Sequence, residues 1–272
     1  VGGPGNRARP NAHRALQGPG PEGSRLEEVG SATASLHIPN FIVVGGPQIH
    51  AGYVRRLFKA EAAGKITFGR IVVIDRDPDC AVAALVGERV RLDVASWNDW
   101  LARHLSQAAA GDHLVPYHWA PHVLLDWLAA DLARHGVSLT RVPSGGEPPA
   151  QPPVIRATKA GDVALSYAEW LCPPACIEPA LCPHTRGPKS WSLALELARA
   201  RHSHVFPCMH LAWGVGTIPV QAIFSVRDRL VDGLIRGEIT ADTPVWVGSA
   251  SHCHGLAASV RLVSAPARGL SS

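Results

Sequence analysis

The sequence predicts an α/β fold: a mainly parallel sheet covered by helices, followed by a second, smaller α+β domain. Two observations carry this. Between residues 38 and 142, short β-branched runs alternate with amphipathic helical stretches. Those runs are apolar throughout rather than at every second position, as expected of strands buried on both faces. A stretch rich in proline and glycine then interrupts the alternation, and the pattern changes.

The elements follow in order. Phe41-Ile42-Val43-Val44 reads as a buried strand ending at Gly45-Gly46-Pro47. Tyr53, Val54, Leu57 and Phe58 share one face of a helix over 49–63, closed by Gly64. Residues 70–75 form a second strand, and Val90, Leu92 and Val94 alternate to give a third. A helix over 98–110, a strand over 113–116, an amphipathic helix over 120–135 and a fifth strand over 137–142 complete the first half. In the second half, strands at 154–158 and 163–171 flank a turn at Gly161-Asp162. A helix over 190–201, a strand over 204–210, a helix over 219–236, a strand over 243–247 and a last helix over 255–263 follow. The expected division is a disordered leader at 1–37, a first domain at 38–143, a linker at 144–153 and a second domain at 154–267.

Composition narrows the function. The 272 residues are 46% apolar, so a sizeable core can form. The formal charge is +4, but Lys and Arg are scattered, and without a basic stripe no nucleic-acid partner is expected. No apolar run approaches the ~20 residues that span a bilayer, so membrane insertion is not expected. The leader lacks the apolar middle of an export signal. The expected compartment is therefore the cytoplasm, where clustered thiols point to metal or redox chemistry rather than structural disulfides.

Strand, glycine turn, helix, strand and acidic residue is the order of a dinucleotide-binding unit. Gly45, Gly46 and Gly52 stand at the turn and the helix start, and Asp75 directly follows Val72-Val73-Ile74. Such a turn brings phosphate oxygens to backbone amides, and such a carboxylate bonds ribose hydroxyls. Phe41 to Gly46 and Val72-Val73-Ile74-Asp75-Arg76-Asp77-Pro78 resemble the first two strands of Rossmann domains of the potassium-uptake regulatory family, the TrkA N-terminal type. The resemblance covers roughly residues 38–142. It implies a Rossmann-like fold, binding of NAD(H) or another adenine nucleotide, and Asp75 on the adenosine ribose. The chain departs from that family's G-x-G-x-x-G pattern, with Pro47 and His50 where the second and third glycines belong. Two readings stay open: a nucleotide site, and an empty scaffold of the same fold.

The densest chemistry lies in residues 172–182, Cys-Pro-Pro-Ala-Cys-Ile-Glu-Pro-Ala-Leu-Cys, and in Ser251-His252-Cys253-His254-Gly255. Prolines stiffen the loop and remove backbone donors. Cys172 and Cys176 have a spacing used in zinc sites, with Cys182 as a third thiolate and Cys253 or Cys208 as a fourth. The expected metal set is Cys172, Cys176, Cys182 and Cys253, holding zinc or an iron–sulfur cluster. Redox-active thiols and inert buried cysteines are the alternatives. Cys80 and Cys208 read as small buried side chains, and His184 and His210 as ordinary polar residues. There is no P-loop, G-x-S-x-G or H-E-x-x-H, Glu178 and Asp162 make no recognisable acid–base pair, and no catalytic residue is named.

The leading expectation is a nucleotide-sensing or regulatory protein with a C-terminal metal site. The rivals are an NAD(P)-dependent oxidoreductase and a non-catalytic assembly or adaptor protein with an empty Rossmann fold and a structural metal. A homo-oligomer or a protein partner accords with each.

Overall fold

The computed structural model describes residues 36–117, 122–142 and 146–264. Of the expected leader, residues 1–35 lie outside the described residues, as do 118–121, 143–145 and the tail from 265. Leu36 and His37 already belong to the first strand.

The first half gives β1 (Leu36–Val44), α1 (Gln48–Ala62), β2 (Ile66–Asp75), β3 (Val90–Val94), α2 (Trp97–His104), β4 (His113–Val115), α3 (Val123–Arg134) and β5 (Val137–Arg141). β1 to β4 run parallel in the order β3-β2-β1-β4. The pleat splits β1 between two cores. Phe41 and Val43 pack toward Ala51, Val54 and Leu57 of α1. Ile42 and Val44 face the opposite side, with Leu101 of α2 and Leu124 and Leu128 of α3.

The second half gives β6 (Val154–Ala157), β7 (Val163–Ser166), α4 (Leu193–Arg199), β8 (Ser203–Pro207), β9 (Met209–Ala212), β10 (Val215–Pro219), α5 (Val220–Ile235), β11 (Val245–Ala250) and β12 (His254–Ser264). A second sheet has the order β6-β7-β12-β11-β8, with β5 also on β12. It is antiparallel except for β11 and β8. Ala258, Val260 and Leu262 of β12 share the core that contains Ile42 and Val44, so α2, α3 and α5 fill the layer between the sheets. α4 covers the outer face through Leu193 and Leu197, packed with Leu165 and Ala257.

Several expectations are corrected. Both sheets are mixed: β10 pairs antiparallel with β4 and β9 in the first. The expected fifth parallel strand, β5, lies antiparallel to β12 in the second sheet. Arg141 at its end is tied to Asp126 of α3 at 2.7 Å and to buried Asp162 at 3.0 Å. Residues 255–263 form a strand rather than a helix. The middle of β12 is covered on both faces, with Ala257 in one core and Ala258 in another, so it lacks the alternation that marks a half-buried strand. The strand expected over 204–210 is two strands in different sheets: the chain leaves the second sheet at Pro207 and joins the first at Met209. The expected division at 144–153 therefore does not separate the sheets. β5 crosses it one way and the β9–β10 hairpin the other, and the described residues belong to one compact unit.

Among the described residues, no helix is long and apolar enough to cross a membrane.

Candidate metal centre

Two sites were expected, and the structure treats them differently. At the glycine turn, the Gly45 amide donates to the Ile74 carbonyl at 2.8 Å, and the Gly46 amide donates to Asp75 Oδ2 at 2.6 Å. Asp75 Oδ1 accepts from the Asp77 amide at 2.9 Å. Gly45 has φ +96, which an L side chain rarely adopts. An added Cβ there would stand 3.3 Å from Tyr117 and 3.4 Å from Trp97. A Cβ on Gly46 would overlap Cys80 Sγ. Tyr117 stacks on His50 with ring centroids 5.4 Å apart. Gly52 lies inside α1 with nothing within 4 Å of an added Cβ. A pyrophosphate needs free amides and an open approach at this turn. Here both glycine amides donate within the chain and aromatic rings lie against Gly45. As placed, the residues do not fit a dinucleotide.

The cysteines behave otherwise. Cys172, Cys176, Cys182 and Cys253 line one cavity of 70 Å³. Drug-sized ligands occupy pockets of ~300–1,000 Å³, so this space suits an ion or small group rather than a nucleotide. The same cavity is lined by Glu178, His210 and His254. All six cysteines are free thiols.

Local turns set the sulfurs in place. Glu178 has φ +52, and its amide donates to Cys176 Sγ at 3.3 Å. The Cys182 carbonyl accepts from the Arg186 amide at 2.8 Å, while the Cys182 amide donates to Gly187 at 2.9 Å. That turn, with Arg186 at φ +58, aims the Thr185 and His184 amides at the Cys182 sulfur. Amide donation to sulfur favours the thiolate, the form that binds metals.

Glu178 joins the two cysteine segments. Its Oε1 accepts from the Ser251 hydroxyl at 2.7 Å and the Cys253 amide at 3.1 Å. Its Oε2 accepts from the His252 amide at 2.9 Å. The Lys189 ammonium donates to the Glu178 backbone carbonyl. The loop is also fastened to the first sheet's hairpin. Trp213 and Gly214, at φ +46 and +72, form the two-residue turn between β9 and β10. Gly214 lies so close to Pro174 that a Cβ would overlap the Pro174 carbonyl oxygen. Arg56 of α1 donates to that oxygen at 2.8 Å. The turn and this close approach account for Gly214.

The electrostatics are those of a crowded thiol site. Burial pushes the Cys172 thiol up, Cys176, Cys182 and Glu178 add to this, and the Trp170 indole N–H opposes it. Burial pushes Cys253 up to about 11, against the pull of Trp191 and Lys189. Cys182 goes the other way, held down first by the Thr185 amide. For Glu178, burial raises the carboxyl, but His210, Ser251 and the two amides hold it below the usual carboxylate range. The Trp170 and Trp191 Nε1 atoms are buried and make no hydrogen bond of good geometry. Unsatisfied donors beside sulfur are what a metal-bound thiolate would accept. Burial also pushes Cys208 up to about 12.

Among the described residues, no group of three or more Cys, His, Asp or Glu side chains stands at ready-made metal spacing. The donor chemistry and the unsatisfied indoles fit a thiolate-bound metal, and Cys172, Cys176, Cys182 and Cys253 are the residues that would hold it.

Sequence reasoning missed Glu178, whose role depends on a loop-to-turn contact, and Trp170 and Trp191, which carry no ligand signature. It counted His254 among nearby donors without assigning it. Cysteine density was the signal available, and it pointed to the loop that lines this cavity.

A family model described as "Uncharacterized protein, C-terminal domain" matches residues 124–263, about half of the chain. The match runs from α3 almost to the end of β12. It contains all four lining cysteines and none of Gly45, Gly46, Gly52 or Asp75. No curated protein and no solved structure matches. The chain therefore belongs to the family defined by that C-terminal domain.

Proposed function

We propose that this is a cytoplasmic metal-binding protein in which Cys172, Cys176, Cys182 and Cys253 hold zinc or an iron–sulfur cluster, and in which the Rossmann-like sheet serves as scaffold. One observation carries the reading: four free thiols from two distant segments line one small cavity, joined by Glu178. Cysteines serving only as bulk have no reason to meet in this way, and only as thiolates, the metal-binding form, would they need a cation to offset their charge. When bound, zinc would brace the loop against the 251–254 turn, and a cluster would add electron transfer. Free thiols also accord with a reducing compartment.

Anaerobic purification of the full chain, with metal analysis and a visible spectrum, tests this. One zinc per chain, or iron with sulfide and a visible band, is the expected result. A metal-free chain that takes up neither zinc nor iron would overturn it.

A nucleotide-sensing or regulatory protein is the second reading. It is favoured by the parallel order β3-β2-β1-β4, the order of the first four strands of a dinucleotide fold, and by Asp75 at the end of β2. An NAD(P)-dependent oxidoreductase would need the same turn. Both require the Gly46–Asp75 bond and the aromatic rings at the turn to rearrange. We therefore favour the assembly or adaptor form, with an unfilled first sheet. Calorimetry with NAD(H) and ATP separates them, since the scaffold reading expects no heat of binding.

A further inference from the structure

We propose that His254 is a ligand of the same centre, adjacent to Cys172 on a single divalent ion, and that Ser166 is the residue that orients it. The proposal rests on the metal reading above and adds a donor that the cysteine pattern does not contain.

The first observation is a distance. His254 Nε2 stands 3.6 Å from Cys172 Sγ. With zinc–sulfur bonds of ~2.3 Å and zinc–nitrogen bonds of ~2.0–2.1 Å at a tetrahedral angle, the sulfur–nitrogen edge is about 3.6 Å. The pair already has the spacing of two neighbouring ligands on one ion. Ligands on different irons of a cluster would stand farther apart, so the pair favours a mononuclear site.

The second observation fixes the ring. His254 opens β12 and lies directly opposite Ser166 of β7 in the antiparallel register, which puts both side chains on one face. Ser166 Oγ donates its proton to the Ala168 carbonyl at 2.9 Å. It also accepts from the Ala168 amide at 2.9 Å. With that proton committed, the 3.0 Å contact to His254 Nδ1 is satisfied by the ring donating. A neutral imidazole protonated at Nδ1 carries its lone pair on Nε2, the atom facing Cys172 and the cavity. A metal-binding histidine is normally held this way, its far nitrogen donating to an oxygen.

With the four thiols, His254 makes five candidate ligands where a tetrahedral ion takes four. A tetrahedral ion bound by Cys172 and His254 takes two more sulfurs from Cys176, Cys182 and Cys253, leaving one thiol outside the shell. The centre is thus of mixed sulfur and nitrogen type, with a spare thiol beside it.

Cobalt(II) titration of the full chain under anaerobic conditions tests this, because its visible bands report ligand type and geometry. The wild type should bind one cobalt, with tetrahedral d–d bands and sulfur-to-cobalt charge transfer. His254→Gln should weaken binding by at least about 100-fold and shift the d–d bands. Ser166→Ala should weaken it by about 10- to 100-fold, the range for residues that orient a ligand, and Ser166→Thr should restore it by returning the hydroxyl. His254→Cys covers the case in which the glutamine variant fails to fold: it should bind cobalt with a stronger charge-transfer band. Wild-type affinity and spectrum in His254→Gln, or an unstrengthened band in His254→Cys, would overturn the proposal while leaving the metal reading intact. A wild type that binds no cobalt overturns both.

Discussion

The glycine turn after β1 and the cysteine loop before α4 carry the two chemical signatures in this chain, and they differ in what their polar groups are doing. At the turn, both glycine amides and both Asp75 oxygens are engaged within the chain. At the loop, indole donors are left over and sulfurs face a shared cavity. A motif that satisfies itself is architecture. A cluster with unspent donors and acceptors has capacity for a ligand.

The sharpest way to break this contrast is at the loop. Cys172→Ser should lower zinc affinity by at least about 100-fold, more than the loss expected from a residue that only orients a ligand. Competition with a chromophoric chelator measures it, and an unchanged affinity would remove Cys172 from the centre.

Next in size is the clamp. Glu178→Gln must turn an NH₂ group toward at least one of the donors that now meet the carboxylate. It should cost about 1.5–3 kcal/mol of stability at neutral pH, read by denaturant melts. The sign of the pH dependence follows from the lowered carboxyl. The unfolded glutamate titrates near ~4.3, so the ionised clamp contributes fully above that pH. Its contribution falls as acid protonates the folded carboxyl, because the unfolded state binds the proton first. The gap between wild type and variant should close below about pH 4, the acid side of that titration. A gap independent of pH would mean the clamp is not ionic.

The turn itself supplies a smaller test. Gly46→Ala pushes a methyl group into Cys80 and should cost about 1–3 kcal/mol, the usual range for overpacking. Adding Cys80→Ala should recover part of that. Recovery would show that the glycine serves packing against Cys80.

The smallest effect is at Gly52. Within α1 nothing crowds an added methyl, so Gly52→Ala should stabilise by about 0.5–1 kcal/mol through helix propensity. A loss of stability would show a constraint there that the structure does not display.

The sequence was informative where a signal was local. Strand and helix types in the first half followed from β-branched runs and helical spacing, and β1 to β4 do form a parallel array. The cysteine loop was visible because thiols and prolines are rare together. The failures were non-local. β12 looked helical because burial of its middle on both faces removes alternation there. Residues 204–210 looked like one strand because nothing in His204 to His210 marks a change of sheet. Ser166 and His254 become neighbours only through β7–β12 register, and Glu178 reaches Ser251 only after the loop folds. Asp75 stands at the end of β2, as a ribose contact would require, and its carboxylate accepts from the Gly46 and Asp77 amides.

The order in which β12 joins its sheet has a consequence for synthesis. Cys172, Cys176 and Cys182 leave the ribosome well before Cys253 and His254, and the turn that closes the centre forms only as β12 pairs with β7 and β11. For that interval the nascent chain displays three thiols without the residues that enclose them. Under the proposed metal reading, loading would wait on completion of the second sheet, and a shortage of metal during translation would first be felt as exposed, oxidisable cysteine.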